Sequence, residues 1–225
     1  MALSKPAFLF DLDGTLVDSV YQHVLAWQEA LEMCGIELAV WRIHRRIGMS
    51  GGLFASALLR ETCRPVTAQL ADELQQHHAT AYSRQVSRVR PLPGAQQLLN
   101  CLTEIGAPWA IATSGRSDFA RKTLAVLDIA PEIVVITRDQ VEHAKPDPDL
   151  FVAAAERLQM DIMKSIVVGD SVWDLLAAQR AHALSVGLLS GGYGQDELER
   201  AGAYRVYQDP LDLLRHLDEV GVRIT

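Results

Sequence analysis

The sequence is short of several things, and each shortage excludes a class of protein. It holds three cysteines in 225 residues, Cys34, Cys63 and Cys101, an odd number at wide spacings. Neither a disulfide framework nor a zinc site fits that pattern, and the three read as reduced thiols of a cytoplasmic protein. No apolar run nears the roughly 20 residues that span a bilayer, so no membrane partner is expected. Residues Met1 to Lys5 lack the charged and apolar regions of a signal peptide, and the first apolar run, Ala7–Phe10, ends in acids. No long basic tract is present and the formal charge is -7. Nucleic acid is therefore not expected as the main partner. Net charge does not fix substrate charge, because a locally positive site serves an anion on an acidic protein. From residue 20 to residue 90 there is no lysine at all.

What is present is enough apolar material, 49% of residues, to bury a sizeable core. Five short apolar runs stand out: Ala7–Phe10, Trp109–Ala112, Ile133–Ile136, Ser165–Val168 and Leu184–Leu189. None alternates apolar with polar, which is how strands covered on both faces look. Helical patterns at Gly94–Ile105, Asp118–Leu127, Asp149–Leu158 and Asp174–Ala183 separate or follow them, and Asp196–Ala201 and Pro210–Leu217 read as terminal helices. The expected fold is α/β: a Rossmann-like parallel sheet with helices on both faces.

One region breaks the alternation. Val20, Val24, Trp27, Leu31 and Cys34 recur at helical spacing, with Ser19-x-x-Gln22 as a capping box and Gly35 as a stop. Further helices are expected at Val40–Arg46, Leu53–Thr62 and Thr67–Val86, before Pro91 and Pro93-Gly94 punctuate the return. The expected organisation is a core of residues 1–18 and 91–225 with an inserted helical cap domain of residues 19–90.

Chemistry-bearing residues gather where the strands stop. The first strand runs into Asp11-Leu12-Asp13-Gly14-Thr15, two carboxylates on one side of an extended chain followed by a turn. Such a pair repels unless a cation or a shared proton compensates. The second strand ends Thr113-Ser114-Gly115, a hydroxyl with backbone N–H groups at the expected start of a helix, which serves as a phosphate cradle or as an ordinary N-cap. The fourth ends Gly169-Asp170-Ser171, with Asp174 three residues on, where Asp170 is a ligand or a cap and Asp174 a ligand or a first-turn acid. Lys145 lies between, ahead of Pro146 and Pro148. All four clusters fall at the carboxyl edge of the sheet, where open α/β folds bind ligands.

This set resembles the haloacid dehalogenase-like superfamily, whose four motifs match Asp11-x-Asp13-Gly14-Thr15, Thr113, Lys145 and Gly169-Asp170-x-x-x-Asp174. The helical insert resembles the cap of the subgroup that includes phosphoglycolate phosphatase, sugar phosphatases and β-phosphoglucomutase. The resemblance implies a phosphatase for a small phosphorylated metabolite, a monomer or small homo-oligomer, working through an aspartyl-phosphate on Asp11. It implies Asp13 as general acid and base, and Mg²⁺ held by Asp11, Asp170 and the Asp13 carbonyl, with Asp174 ligating directly or through a water. Thr113, backbone N–H groups near Ser114, and Lys145 would neutralise the transferring oxygens. His23 and Trp27, one turn apart, match cap positions that face the substrate; Trp27 reads equally as cap core. The basic cluster Arg42, His44, Arg45 and Arg46 reads as a solvated face or as a means of steering an anion, and Gly48–Gly52 as a substrate loop or a simple connection.

Departures from the family pattern narrow the activity. Asp13 argues against dehalogenation, which lacks that second acid. The arginine that grips a mutase's second phosphate aligns with Gly51, which counts against a β-phosphoglucomutase-type mutase, and the lysine-free insert excludes a Schiff-base phosphonoacetaldehyde hydrolase. A phosphoacceptor module of the receiver type would carry its acceptor and its acid pair on different strands and no cap. The alternatives to a phosphatase are therefore the mutase, such a phosphoacceptor module, and a non-catalytic binder of phosphorylated ligands.

Overall fold

The computed structural model describes residues 5–222. Residues 1–4, most of the stretch without leader features, lie outside that range, as do residues 223–225. In chain order the elements are β1 (Ala7–Phe10), β2 (Val17–Asp18), α1 (Val20–Met33), α2 (Val40–His44), α3 (Gly51–Glu61), α4 (Ala68–Gln85) and β3 (Arg90–Pro91). Then come α5 (Ala95–Glu104), β4 (Trp109–Ala112), α6 (Ser117–Leu124), β5 (Val135–Ile136), α7 (Asp149–Arg157), β6 (Ser165–Gly169) and α8 (Val172–Arg180). The chain closes with β7 (Leu184–Leu188), α9 (Gln195–Arg200), β8 (Arg205–Tyr207) and α10 (Pro210–Arg215).

Six strands form one sheet in the order β5-β4-β1-β6-β7-β8, every pairing parallel. The central strand shows why the apolar runs do not alternate. Phe8 and Phe10 point to one face, into a cluster with Leu98 and Leu102 of α5, Leu213 of α10 and Ile111. Leu9 points to the other face, against Phe151 and Ala154 of α7 and Ala177 of α8. Both faces are covered, so every residue of β1 is buried.

Helices α1–α4 stand between β2 and β3 and have an apolar core of their own. Val24, Trp27 and Leu31 of α1 meet Phe54 and Leu58 of α3 and Leu74 of α4. The chain enters and leaves this bundle through a two-stranded antiparallel ribbon, with Val17 opposite Pro91 and Asp18 opposite Arg90. The expected boundaries at 18/19 and 90/91 fall on that ribbon.

Three expectations are corrected. Ser19 does stand at the N-cap of α1, but its hydroxyl makes no capping bond. It donates instead to the Asp13 carboxylate at 2.6 Å, because a charged acceptor outbids a neutral N–H partner. The run Ile133–Ile136 supplies a strand of only two residues, since Ile133 is taken up in a turn back to the Ala130 carbonyl. Strand β8 was not expected: its Arg205 is exposed at the sheet edge, so it carries no continuous apolar signal.

Candidate active site

The carboxyl ends of β1, β4 and β6 and the loop before α7 converge on one point. Asp11 remains in the sheet ladder, its N–H donating to the Val168 carbonyl at 2.9 Å, and its side chain is buried. Gly14 then turns the chain at φ 86°, and a Cβ there would lie 2.5 Å from Asp170 Oδ2. Both the backbone conformation and the close approach require glycine. Thr15 Oγ1 donates to Asp170 Oδ1 at 2.9 Å, tying the first acidic loop to the last.

Asp11, Asp170 and Asp174 bring carboxylate oxygens within 4.8 Å of one another, and all three residues are buried. Lys145, fully buried, places Nζ against Asp11 and 2.8 Å from Asp174 Oδ1. One cation faces three acids, and their proton affinities record the imbalance. Burial pushes Asp11 up to about 7, with Asp174 adding to the rise and Lys145 opposing it. Burial, then Asp174 and Asp11, drive Asp170 well above the ordinary carboxylate range. For Lys145 burial works the other way, but Asp11 and Asp174 outweigh it and hold the ammonium charged. Asp174 Oδ2 accepts from the Ser171 N–H at 3.1 Å and its hydroxyl at 2.6 Å, a capping box that starts α8. Asp174 Oδ1 faces the Lys145 ammonium across 2.8 Å. Three hard oxygen donors gathered with an excess of negative charge fit a divalent cation such as Mg²⁺. The cap on α8 is thus Ser171, which leaves Asp170 free for the cluster.

The Asp13 carboxylate is not part of this cluster. It turns away toward Ser19 and His23, whose Nε2 lies 3.3 Å from Oδ1, so only its main-chain carbonyl remains for the metal role that the motif implies. Burial alone would raise its pKa; the His23 imidazole and the Ser19 hydroxyl overcome that and hold it below the ordinary range. His23 Nδ1 is 3.1 Å from Nε2 of His78, and the two rings stack with Trp27 and Tyr82 at centroid separations of 3.9–6.0 Å. Burial and the neighbouring His23 press the His78 pKa well down. Sequence reasoning named His23 but missed His78. Nothing local marks His78, because its partner lies 55 residues away.

The cleft above these acids has a volume of about 430 Å³. Asp11, Asp13, Thr113 and Ser114 lie on the core side, and His23, Trp27, His78 and the Gly48–Gly52 turn lie opposite. Trp27 meets both readings at once, since it belongs to the insert's apolar core and also lines the cleft. Thr113 Oγ1 accepts from the Gly115 N–H at 3.0 Å, which leaves its proton free to donate. Helix α6 begins at Ser117, one residue before the expected Asp118, so Ser114 and Gly115 form a turn ahead of it and their N–H groups are not those of the helix's first turn. Ser114 Oγ donates to the Gly48 carbonyl at 3.1 Å, across the cleft.

The basic cluster faces elsewhere. Arg45 pairs with Glu197, Arg46 and Arg42 with Glu61, and His44 Nε2 meets the Gly191 carbonyl at 2.8 Å. These contacts join α2 to α3 and to the core; none of the four residues lines the cleft.

A profile of the family described as haloacid dehalogenase-like hydrolase matches residues 5–182. Hexitol phosphatase A of Escherichia coli (strain K12) is 32% identical over 184 residues, covering 80% of this chain and 82% of that protein. A phosphoglycolate phosphatase of Caulobacter vibrioides is 30% identical over 221 residues, covering 94% of this chain and 90% of its own. A crystal structure of a hydrolase from Pseudomonas syringae superposes with a TM-score of 0.93 at 53% identity, covering 97% of this chain and all of that one. With a family profile spanning most of its length and relatives at 30% identity or more, the chain belongs to the haloacid dehalogenase-like hydrolases.

Proposed function

We propose that the protein is a Mg²⁺-dependent phosphatase of a small phosphorylated metabolite, acting through an aspartyl-phosphate on Asp11. The observation that carries this reading is the buried triad Asp11, Asp170 and Asp174, compensated among the described residues by Lys145 and opening through Asp11 onto the cleft. The named activities of the two relatives, on phosphoglycolate and on hexitol phosphates, support the reaction class without choosing between them.

On this reading Asp11 attacks phosphorus and is later released by water, which divides one hard displacement into two easier ones. Thr113 donates its hydroxyl to a phosphoryl oxygen, and Lys145 neutralises another, as do the N–H groups about Ser114. Asp11, Asp170, Asp174 and the Asp13 carbonyl would hold Mg²⁺, which supplies charge neutralisation at the phosphoryl oxygens. The leaving alkoxide needs a proton in the first step, and the attacking water must lose one in the second. Both transfers fall to Asp13, with His23 Nε2 3.3 Å from its carboxylate as the partner that holds it in place.

Residues 19–90 then act as the cap domain, and residues 1–18 with 91–225 as the catalytic core. The unpaired Cys34, Cys63 and Cys101 accord with a cytoplasmic setting. No helix among the described residues is long and apolar enough to cross a membrane.

The test is phosphate release from a panel of phosphorylated metabolites, with Mg²⁺ and with EDTA. Release should require Mg²⁺, and Asp11→Asn should abolish it while the far-ultraviolet circular dichroism stays unchanged. Near-normal turnover by the variant would remove Asp11 as nucleophile.

A further inference from the structure

The two sides of the cleft differ in charge, and that difference bears on which alcohol the enzyme releases. Among the described residues, the part of the lining drawn from residues 19–90 contains no lysine, arginine, aspartate or glutamate. Beside the rings the wall offers Gly51 and Gly52, which carry no side chain and no charge. Its two imidazoles are already spoken for in part: both ring nitrogens of His23 are engaged, one by Asp13 and one by His78. The rest is ring and aliphatic surface. Trp27 stacks on Phe54 at 4.3 Å and on His78 at 4.1 Å, and Ile47 and Met49 add to the lining. Gln75 contributes a neutral amide.

Cations do reach the opposite rim, on the core side. Arg116 is two-thirds exposed and lies 3.7 Å from Asp118, and Arg138 donates to the Val141 carbonyl at 2.8 Å. Asp139 lines the cleft beside them. Both arginines adjoin the Thr113–Gly115 turn, Arg116 in sequence and Arg138 through its N–H to the Gly115 carbonyl at 3.0 Å.

Resting on the phosphatase reading above, we propose that the cap wall selects monophosphates whose alcohol is uncharged and presents an apolar ring or carbon face. Hexose, hexitol and cyclitol monophosphates belong to this class; phosphoglycolate, phosphorylated sugar acids and bisphosphates do not. A carboxylate or second phosphate placed against this wall loses its water and meets no compensating charge. A sugar's C–H face, in contrast, is what stacked aromatic rings accept, and a cleft of this volume is on the scale of a small-molecule site.

The experiment compares substrates matched in size. With Mg²⁺ present, kcat/KM is measured for glucose 6-phosphate and sorbitol 6-phosphate against 6-phosphogluconate, and for 2-hydroxyethyl phosphate against 2-phosphoglycolate. The neutral member of each set should win by at least about tenfold. In parallel, calorimetry on Asp11→Asn ranks the same compounds by affinity without turnover. Gly52→Arg supplies the missing cation where an added Cβ meets nothing within 4 Å, and Gln75→Arg supplies it from α4 should the first variant fold poorly. Either should favour the acids, narrowing the ratio by about fivefold or more. A preference for the acidic members in kinetics and in binding would overturn this proposal and leave the phosphatase standing. Neutral ligands bound tightly by Asp11→Asn but never hydrolysed by the wild type would overturn the phosphatase reading and uphold the selectivity. Neither binding nor turnover of any compound would overturn both.

Discussion

The floor and the roof of the cleft are built from opposite materials. The floor is a set of buried charges that hold one another in place: Asp11, Asp170, Asp174 and Lys145, none more than 5% exposed. The roof is stacked rings and glycines, and His23 and Ser19 both link the insert to the carboxylate of Asp13, beside the floor. Buried charge is unforgiving, because removing one partner strands the others in low dielectric. Neutral surface is adaptable, because a changed side chain costs packing alone. The reaction is therefore fixed below and the choice of substrate is left to vary above.

The sharpest way to break this contrast is to remove the floor's cation. Lys145→Met should lower unfolding free energy by about 3–5 kcal/mol in metal-free protein, because three carboxylates then lack a counter-charge. Denaturant melts would measure it, and added Mg²⁺ should restore much of the loss. An unchanged midpoint would mean that the acids protonate at no cost.

A smaller effect should appear as a pH dependence of metal stabilisation. In metal-free protein the folded-state pKa of Asp11 is raised to about 7, against roughly 3.9 unfolded. The sign is that of a raised acid: folding is unpenalised below the unfolded value and loses stability as pH climbs from about 4 to about 7. Asp170 moves in the same direction. Mg²⁺ should therefore raise the melting temperature far more at pH 8 than at pH 5, and EDTA should reverse it. Equal shifts at both pH values would place the ion elsewhere.

The mildest probe lies where roof meets floor. His23→Gln should reduce kcat by about 10- to 100-fold, as loss of a proton-transfer partner does, with a melting temperature nearly unchanged. A large melting loss with intact kinetics would make His23 part of the insert's packing only.

How much of this was legible follows the same division. Asp11, Thr113 and Asp170 follow strand ends directly, Asp13 stands just past Asp11, Asp174 opens the helix after Asp170, and Lys145 is marked by the prolines after it, so spacing and chain punctuation singled out all six. The roof is assembled from distant turns of α1, α3 and α4. Trp27 could be recognised as apolar but not as facing two ways, and His78 carried no mark of its partnership. Ser19 looked like a cap because its sequence context is that of a cap; only the position of Asp13 in space diverts its hydroxyl. Strand β8 and the β2–β3 ribbon escaped notice because two or three residues, with Arg205 or Pro91 among them, are too few to show a period.

That ribbon has a mechanical consequence. Two strands crossing side by side make a pivot line, where a single linker would make a swivel. Displacement under rotation grows with distance from the pivot. Ser19, whose hydroxyl binds Asp13, follows the ribbon directly and His23 lies within the first turn of α1, whereas the Gly48–Ser114 bond comes two helices later. Any rotation about the ribbon would have to break that bond together with the Arg45–Glu197 pair and the His44 contact with the Gly191 carbonyl. The joint beside the ribbon carries the proton-transfer pair, and the latch that a rotation must release lies at α2 and the Gly48 turn.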